Sequence, residues 1–472
     1  MQIVCIRCRV ICIVNIESTL QNNENAITIL DHLHFASPTT EQKNALQGMA
    51  EFSKMENTDD FMILCGAAGT GKTSIVSAFI GYLNQQDIAY QIAAPTGRAA
   101  RILGRKSKTV SNTIHSMIYT AKTNKKTGVV NWVLKQNLSS KETIYIIDEA
   151  SMVPSIADNN ELSLFRNETS LLDGIVAFVK NGHKNNKVLF LGDRYQLPPV
   201  HEEESRALCG EYLNATYGWK GKTNLLTEVK RQEDGSQIMT NAIRTRKGID
   251  EGKAAVKLDG HRFSSFANVA DDYVHGFLNK GSEHAISIGA THRMNEVFNK
   301  VVREKLFGKR ALLLEPGDLM MVTTNWSRNS HHLFNGDHVT VKEFFPKLIE
   351  EVVGLHFMPV KILFKNLEGN EEEIEDYLLV ESITAKNGQL DEAVENRLRN
   401  ERFIKNPQFS ECGFASDDRY VGALRLNYGY SITCHKAQGG EWEKVYFNTF
   451  SIPSLRFQYT AVTRAKSVLQ FY

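Results

Sequence analysis

The chain has 472 residues, enough for two to four domains of ordinary size. It is 42% hydrophobic and 23% charged with a formal net charge of +1, so a buried core is expected and any nucleic-acid site has to be a local groove rather than a global basic field. No apolar run approaches the ~20 residues that span a bilayer, and the 7 cysteines are too sparse for a disulfide scaffold.

The first stretch, MQIVCIRCRVIC, carries Cys5, Cys8 and Cys12. A zinc site would pair Cys5 and Cys8 with Cys12, or with His32 and His34, but the spacing fits no closed Cys/His pattern well, and a β-prone extension over 1–36 is the better reading. Arg7 and Arg9 interrupt the apolar stretch, which argues against a signal peptide. A reducing, cytoplasmic location fits this cysteine usage. From SPTTEQKNAL (37–46) the pattern becomes regular: a helix, then the apolar strand FMILC (61–65), a glycine loop, and the helix TSIVSAFIGYL (73–83). Strands follow at IAYQIAAP (88–95), TIYIIDEA (143–150) and KVLFLGD (187–193), with RAARIL (98–103) opening a helix. A second set comprises HAISIGAT (284–291), a helix over 292–307, a helix and strand within 428–448, a helix over 454–466 and a last strand over 467–472. Alternation of strands and helices, with polar residues at strand ends, predicts an α/β fold of parallel sheets.

Two stretches break the alternation. Residues 117–141 read as a β-hairpin with KTNKKTG at its tip, and 338–424 hold β-prone runs around the acidic NEEEIEDY, itself expected to be a solvated face.

GAAGTGKT (66–73) matches the phosphate-loop pattern in full. Glycines let the backbone of Gly66, Ala67, Ala68, Gly69, Thr70 and Gly71 curl so that N–H groups face phosphate oxygens, and the helix opening at Lys72, Thr73 and Ser74 adds its N-terminal partial charge. Lys72 would neutralise the β and γ phosphates of ATP, and Thr73 would ligate Mg²⁺. Asp148 ends an apolar strand where a second metal ligand has to emerge. Its neighbour Glu149 is placed to polarise an attacking water, a pairing suited to hydrolysis.

IIDEASM (146–152) and LGDRYQLPPV (191–200) resemble the superfamily-1 helicases, above all their RecD-like and phage Dda-like group, and the likeness runs from about residue 39 to 472. TTEQKNAL (39–46) resembles the family's adenine-contacting segment, with Gln42 the candidate. AAPTGRAAR (93–101) and SNTIHSMI (111–118) resemble its DNA-contacting segments. LTEVKRQ (226–232) resembles the segment whose arginine, here Arg231, reaches the γ-phosphate. SITCHKAQGGEW (431–442) and YTAVTRAK (459–466) resemble the last two motifs, and NGD (335–337) also recurs in the group. The family implies two RecA-like P-loop domains with ATP between them: 37–228 with the hairpin inserted, then 229–337 with 425–472, interrupted by a β-rich subdomain over 338–424. Lys230 stands where some members carry an aromatic that stacks on adenine, so base selectivity is expected to be loose. The resemblance also implies 5′→3′ movement.

The physical reading points the same way. Gln196 follows Asp193 at a strand end and can hydrogen-bond both a water and a γ-phosphate. Arg464, supplied by a second domain, would act as an arginine finger that engages only on closure. Thr96, Arg98 and His115 in the first domain, with Thr433 and His435 in the second, lie in segments that by the resemblance would line a groove for single-stranded DNA, and their hydroxyl and cationic groups suit phosphate contacts. Without the resemblance, His435 reads as a structural histidine. Trp132 on the hairpin either stacks on a terminal base pair or packs the hairpin base. The expected activity is an ATP-dependent DNA helicase acting on single strands and tailed duplexes, alongside replication or recombination proteins and with no membrane partner. The competing readings are a motor subunit within a nuclease complex and an ATP-gated clamp that does not unwind.

Overall fold

A computed structural model describes residues 29–33, 37–123, 130–157, 165–166, 169–228, 236–329, 331–366, 369–386 and 390–472. Six strands build the first sheet in the order Ser111–Thr113, Ala89–Ala94, Thr143–Ile147, Lys187–Gly192, Phe61–Gly66, Gly221–Leu226, and every pairing is parallel. The three strands Phe61–Gly66, Thr143–Ile147 and Lys187–Gly192 are buried at every position. Successive side chains take opposite faces: Ile63, Tyr145, Ile147 and Phe190 pack into one core, Met62, Leu64, Ile146 and Leu189 into the other.

The second sheet runs Ser431–Thr433, Ala285–Gly289, Trp442–Phe447, Ala465–Phe471, again all parallel. Helices Gln237–Asp250 and Leu455–Val462 cover one face through Ile238, Ala242 and Phe457. Phe266–Lys280 and His292–Phe307 cover the other through Val269, Tyr273, Phe298 and Val302.

Several expectations need adjusting. The helix expected over 454–466 ends at Val462, because the Arg464 carbonyl accepts from the Trp442 N–H (2.9 Å) and draws the backbone into the sheet. Arg464 therefore sits at a helix–strand junction. Edge strand Gly221–Leu226 escaped the sequence reading because it is mostly exposed and has no apolar run. The extension reaches further into the fold than expected: Ile29 is fully buried in the first core, and His32 Nε2 lies 3.0 Å from Gln85 Oε1. Cys5, Cys8, Cys12 and His34 lie outside the described residues, so the zinc reading does too.

The inserted subdomain is an antiparallel sheet, Glu350–Val352, Leu355–Lys365, His338–Phe344, Leu319–Val322, Leu426–Tyr428, with Glu371–Leu379 paired to Leu355–Lys365. It draws in strands on both sides of the expected 338–424. Within the acidic run Glu371, Glu373 and Glu375 face solvent, while Asp376 turns inward to Arg328 (2.8 Å) and Trp326 Nε1 (2.7 Å). The hairpin pairs Tyr119–Thr123 with Val130–Leu134 in antiparallel register; its tip, 124–129, and the Trp132 side chain lie outside the described residues.

Candidate nucleotide site and nucleic-acid groove

The phosphate loop leaves strand Phe61–Gly66 and ends at Gly71, which precedes helix Lys72–Gln85. Gly69 (φ 82°) and Gly71 (φ 85°) take the left-handed backbone that L side chains rarely adopt. A Cβ on Gly66 would lie 2.5 Å from Thr70 Oγ1, so the cradle has no room for a larger residue there. Lys72 Nζ donates to the Gly66 (2.5 Å) and Ala67 (3.1 Å) carbonyls, at the mouth of the loop. Thr73 is half-buried in the first helical turn beside it, and Ser74 is exposed.

Gln42 reaches the loop from the preceding helix. Its Oε1 accepts from the Thr39 N–H (2.9 Å), closing a capping box, and its Nε2 donates to the Thr70 carbonyl (2.9 Å). In this structure it braces the loop.

Asp148 and Glu149 follow the buried strand Thr143–Ile147. Glu149 has φ 49° and ψ 38°, a strained conformation for a glutamate. Burial pushes its carboxyl up to about 7; Asp148 adds to the rise, Arg464 and Lys72 oppose it, and Asp193 raises it again. Burial raises Asp148 as well, with Lys72 opposing. One carboxyl thus feels the loop lysine, both acidic strand ends of the first sheet, and an arginine of the second. Arg464 is 4% exposed and is held by its own side of the seam: Nε and Nη1 donate to the Thr460 and Gly440 carbonyls (both 3.1 Å), and Nη2 to Thr463 Oγ1 (3.2 Å). Gln196 is 4% exposed with Oε1 buried and unpartnered. Arg231 and Lys230 lie outside the described residues.

A half-buried hydroxyl at a helix start beside a glycine cradle, with the half-buried Asp148 carboxylate at another strand end of the same sheet, suits a magnesium ion that takes its other ligands from phosphate and water. No group of three or more His, Cys, Asp or Glu that could hold a metal is present among the described residues.

The expected DNA contacts also come from strand C-terminal ends, at one edge of each sheet. Thr96 and Arg98 follow Ala89–Ala94, His115 follows Ser111–Thr113, and Thr433 and His435 lie at the end of Ser431–Thr433. In the first sheet the nucleotide groups leave from Phe61–Gly66, Thr143–Ile147 and Lys187–Gly192, and in the second Arg464 precedes Ala465–Phe471. Thr96 caps helix Gly97–Ser107, its hydroxyl accepting from the Ala99 N–H (3.2 Å). His115 is half-buried, and burial lowers its pKa; His435 is exposed on a single helical turn, its pKa also lowered by desolvation. Thr433 makes no capping bond with its side chain. Arg98 is less available than expected: its guanidinium lies 4.5 Å from the Trp442 ring centroid, in the seam between the two sheets. Burial lowers its pKa to about 10, and Nη1 is buried and unpartnered.

A model described as an AAA domain matches residues 38–264, and one described as the UvrD-like helicase C-terminal domain matches 428–471. These matches and the relatives below make the chain similar to the superfamily-1 helicases of the Pif1 and RecD group. Among curated relatives, the ATP-dependent DNA helicase Pif1 of Psychrobacter sp. (strain PRwf-1) is 26% identical over 413 residues, covering 81% of this chain and 55% of that protein. The RecBCD enzyme subunit RecD of Buchnera aphidicola subsp. Schizaphis graminum is 26% identical over 225 residues, 43% of this chain and 33% of its own. This chain therefore spans about half, or less, of the length of such relatives. Of solved structures, the Pif1 helicase from Candida albicans is 18% identical over 93% of this chain and 94% of its own, with a TM-score of 0.49. A Bacteroides Pif1 in complex with ADP-AlF3 and ssDNA is 15% identical over 92% of each chain, with a TM-score of 0.48.

The sequence reading of this site missed the residues that join its halves. Arg101 Nη2 pairs with Asp337 Oδ2 (2.5 Å) of the NGD turn, and Phe334 packs so closely that a Cβ on Gly97 would lie 1.9 Å from its Cγ. Lys436 bonds Asn335 of the same turn; desolvation lowers its pKa to about 8. Tyr459 reaches across to the phosphate loop. All of these lie in motifs quoted from the sequence or next to them, but their partners are remote in the chain.

Proposed function

We propose that this chain is an ATP-driven motor that moves 5′→3′ along single-stranded DNA and separates a duplex reached through a single-stranded tail. The observation that carries the reading is Glu149, whose carboxyl feels Asp148, Arg464, Lys72 and Asp193 together. A base with a pKa near the working pH is the most effective at taking a proton from water. Lys72 and the loop amides bind the phosphates, Thr73 and Asp148 hold Mg²⁺, and Glu149 takes the proton of the attacking water, which Gln196 orients. Held by Thr73 and Asp148, Mg²⁺ would supply charge neutralisation to the nucleotide phosphates. Arg464 and Arg231 stabilise the charge on the transferred group from the second domain.

This division of labour couples hydrolysis to closure, because the second sheet supplies Arg464 while the first supplies the water-activating groups. The DNA segments leave from other strand ends of the same two sheets, so closing and opening of the cleft changes the spacing of Thr96, Arg98 and His115 from Thr433 and His435. Opening a base-pair step costs ~1.4 kcal/mol on average, within reach of a one-base stroke per ATP. The 119–134 hairpin is the candidate separator. A simple clamp is disfavoured, since it has no use for Glu149, Gln196 and Arg464 together. Likeness to RecD keeps a second arrangement in view, the same motor working beside a nuclease or recombination partner.

Strand displacement on duplexes with a 5′ tail, a 3′ tail or none tests activity and polarity at once. Unwinding of the 5′-tailed duplex alone, lost with Lys72→Ala together with DNA-stimulated ATPase, is expected. A preference for 3′ tails would overturn the polarity, and unchanged turnover in Lys72→Ala would overturn the nucleotide site.

A further inference from the structure

Gln196 lies between residues that the second domain grips on both sides, Asp193 and Arg194 before it and Leu197 after it. Helix Leu455–Val462 presents Arg456, Tyr459 and Thr460 at spacing i, i+3, i+4, hence on one face, toward the segment 193–197. Arg456 donates to the Arg194 carbonyl. Tyr459 donates its hydroxyl to Asp193 Oδ2 (2.7 Å), and the Tyr459 hydroxyl oxygen in turn accepts from the Ala68 N–H of the phosphate loop (3.3 Å). Thr460 Oγ1 accepts from the Leu197 N–H (2.9 Å), and Gln438 Nε2 donates to the Leu197 carbonyl (2.9 Å). Tyr459 and Thr460 are fully buried, and Asp193 is 1% exposed. Between the two grips the Gln196 N–H bonds the Asp193 carbonyl (3.1 Å), and its Oε1 is the buried acceptor without a partner.

We propose that Tyr459 and Thr460 are positioning residues for hydrolysis: by fixing both ends of 193–197 from the second domain, they set where the Gln196 amide points. The proposal rests on the reading of Gln196 as the group that orients water and γ-phosphate. The turn from Asp193 to Leu197 is short, so displacing either end rotates the residue between them. Tyr459 is also the side chain that ties this segment to the phosphate loop itself. The hydrolytic groups of the first domain therefore register whether the second domain is docked through a contact separate from Arg464. A phenol bridging a carboxylate and a backbone amide is suited to this, since it is donor to one and acceptor to the other at the same time.

The test is steady-state ATP hydrolysis, with and without single-stranded DNA, for Tyr459→Phe and Thr460→Val, which remove the hydroxyls with little change in volume. We expect kcat to fall roughly tenfold with KM for ATP within about twofold, as when an interaction made in the transition state is lost. Thr460→Val, whose hydroxyl touches Leu197 and not the phosphate loop, should leave binding of a fluorescent ADP analogue unchanged. In a Gln196→Ala background Tyr459→Phe should slow the reaction no further, because both act through one amide; a purely structural role would multiply the two losses. Should Tyr459→Phe not fold, Thr460→Val carries the same cycle. Multiplied losses, or a kcat within twofold of the unmodified chain for both single variants, would overturn the proposal while leaving the ATPase reading intact. An unmodified chain that binds ATP without hydrolysing it would overturn both.

Discussion

Replacing Glu149 by glutamine should stabilise the protein while stopping hydrolysis. The carboxyl is raised from 4.5 to about 7, first by burial and then by Asp148. Raising the carboxyl that far, at ~1.36 kcal/mol for each tenfold change in proton affinity, sets a ceiling of about 3 kcal/mol on what the ionised group costs the folded state. The Glu149 side chain is only half-buried, and solvent screening lowers that figure. For a carboxyl raised on folding, the stability it contributes is fully present below pH 4.5 and is lost as pH rises through 7. Glu149→Gln keeps the shape and the left-handed backbone and removes the charge, so backbone strain cancels in the comparison. Its advantage should be near zero at pH 4.5, grow between there and pH 7, and level off above. Chemical denaturation of both proteins at pH 5 and pH 8, followed by a probe in the first domain, measures it. Equal differences at the two pH values, or a less stable variant at pH 8, would show that Glu149 is not held in a desolvated acidic cluster. The cost to function is the usual one for a site built of strained, like-charged groups.

Arg464→Ala should leave nucleotide binding within a few-fold and lower kcat by on the order of 10³ or more, as for removal of an arginine finger, measured by equilibrium binding and DNA-stimulated turnover. Arg101→Ala should cost about 3 kcal/mol of stability by denaturant titration, because it strands the nearly buried Asp337 carboxylate in the seam between the first domain and the NGD turn.

How much of this was legible in the sequence depends on the range of the interactions. The phosphate loop, the carboxylates at 148–149 and the strands that carry them are local: a glycine pattern, an apolar run and a polar strand end are each dictated by a few neighbouring residues. The helix His292–Phe307 is likewise placed where its sequence puts it. Elements without a strong local signature, such as the exposed edge strand Gly221–Leu226, became visible only through their partner, here Phe61–Gly66. The resemblance to a helicase family rested on the order of motifs, which is also a property of the chain alone.

Tertiary structure decided which of those motifs touch. Tyr459 meets Asp193 across 266 positions of sequence, and Arg101 meets Asp337 across 236. Arg98, expected in an open groove, instead lies against Trp442, because the packing of the two sheets offers its cation an aromatic face. Arg464 left the helix that its apolar neighbours suggested because the strand Trp442–Phe447 captures its backbone. Local sequence specifies the chemical groups and the strand end each one leaves from. The relative placement of two sheets, and hence whether a carboxylate, a lysine and an arginine share one electrostatic environment, depends on burial and hydrogen bonds between segments hundreds of residues apart, which no short stretch encodes.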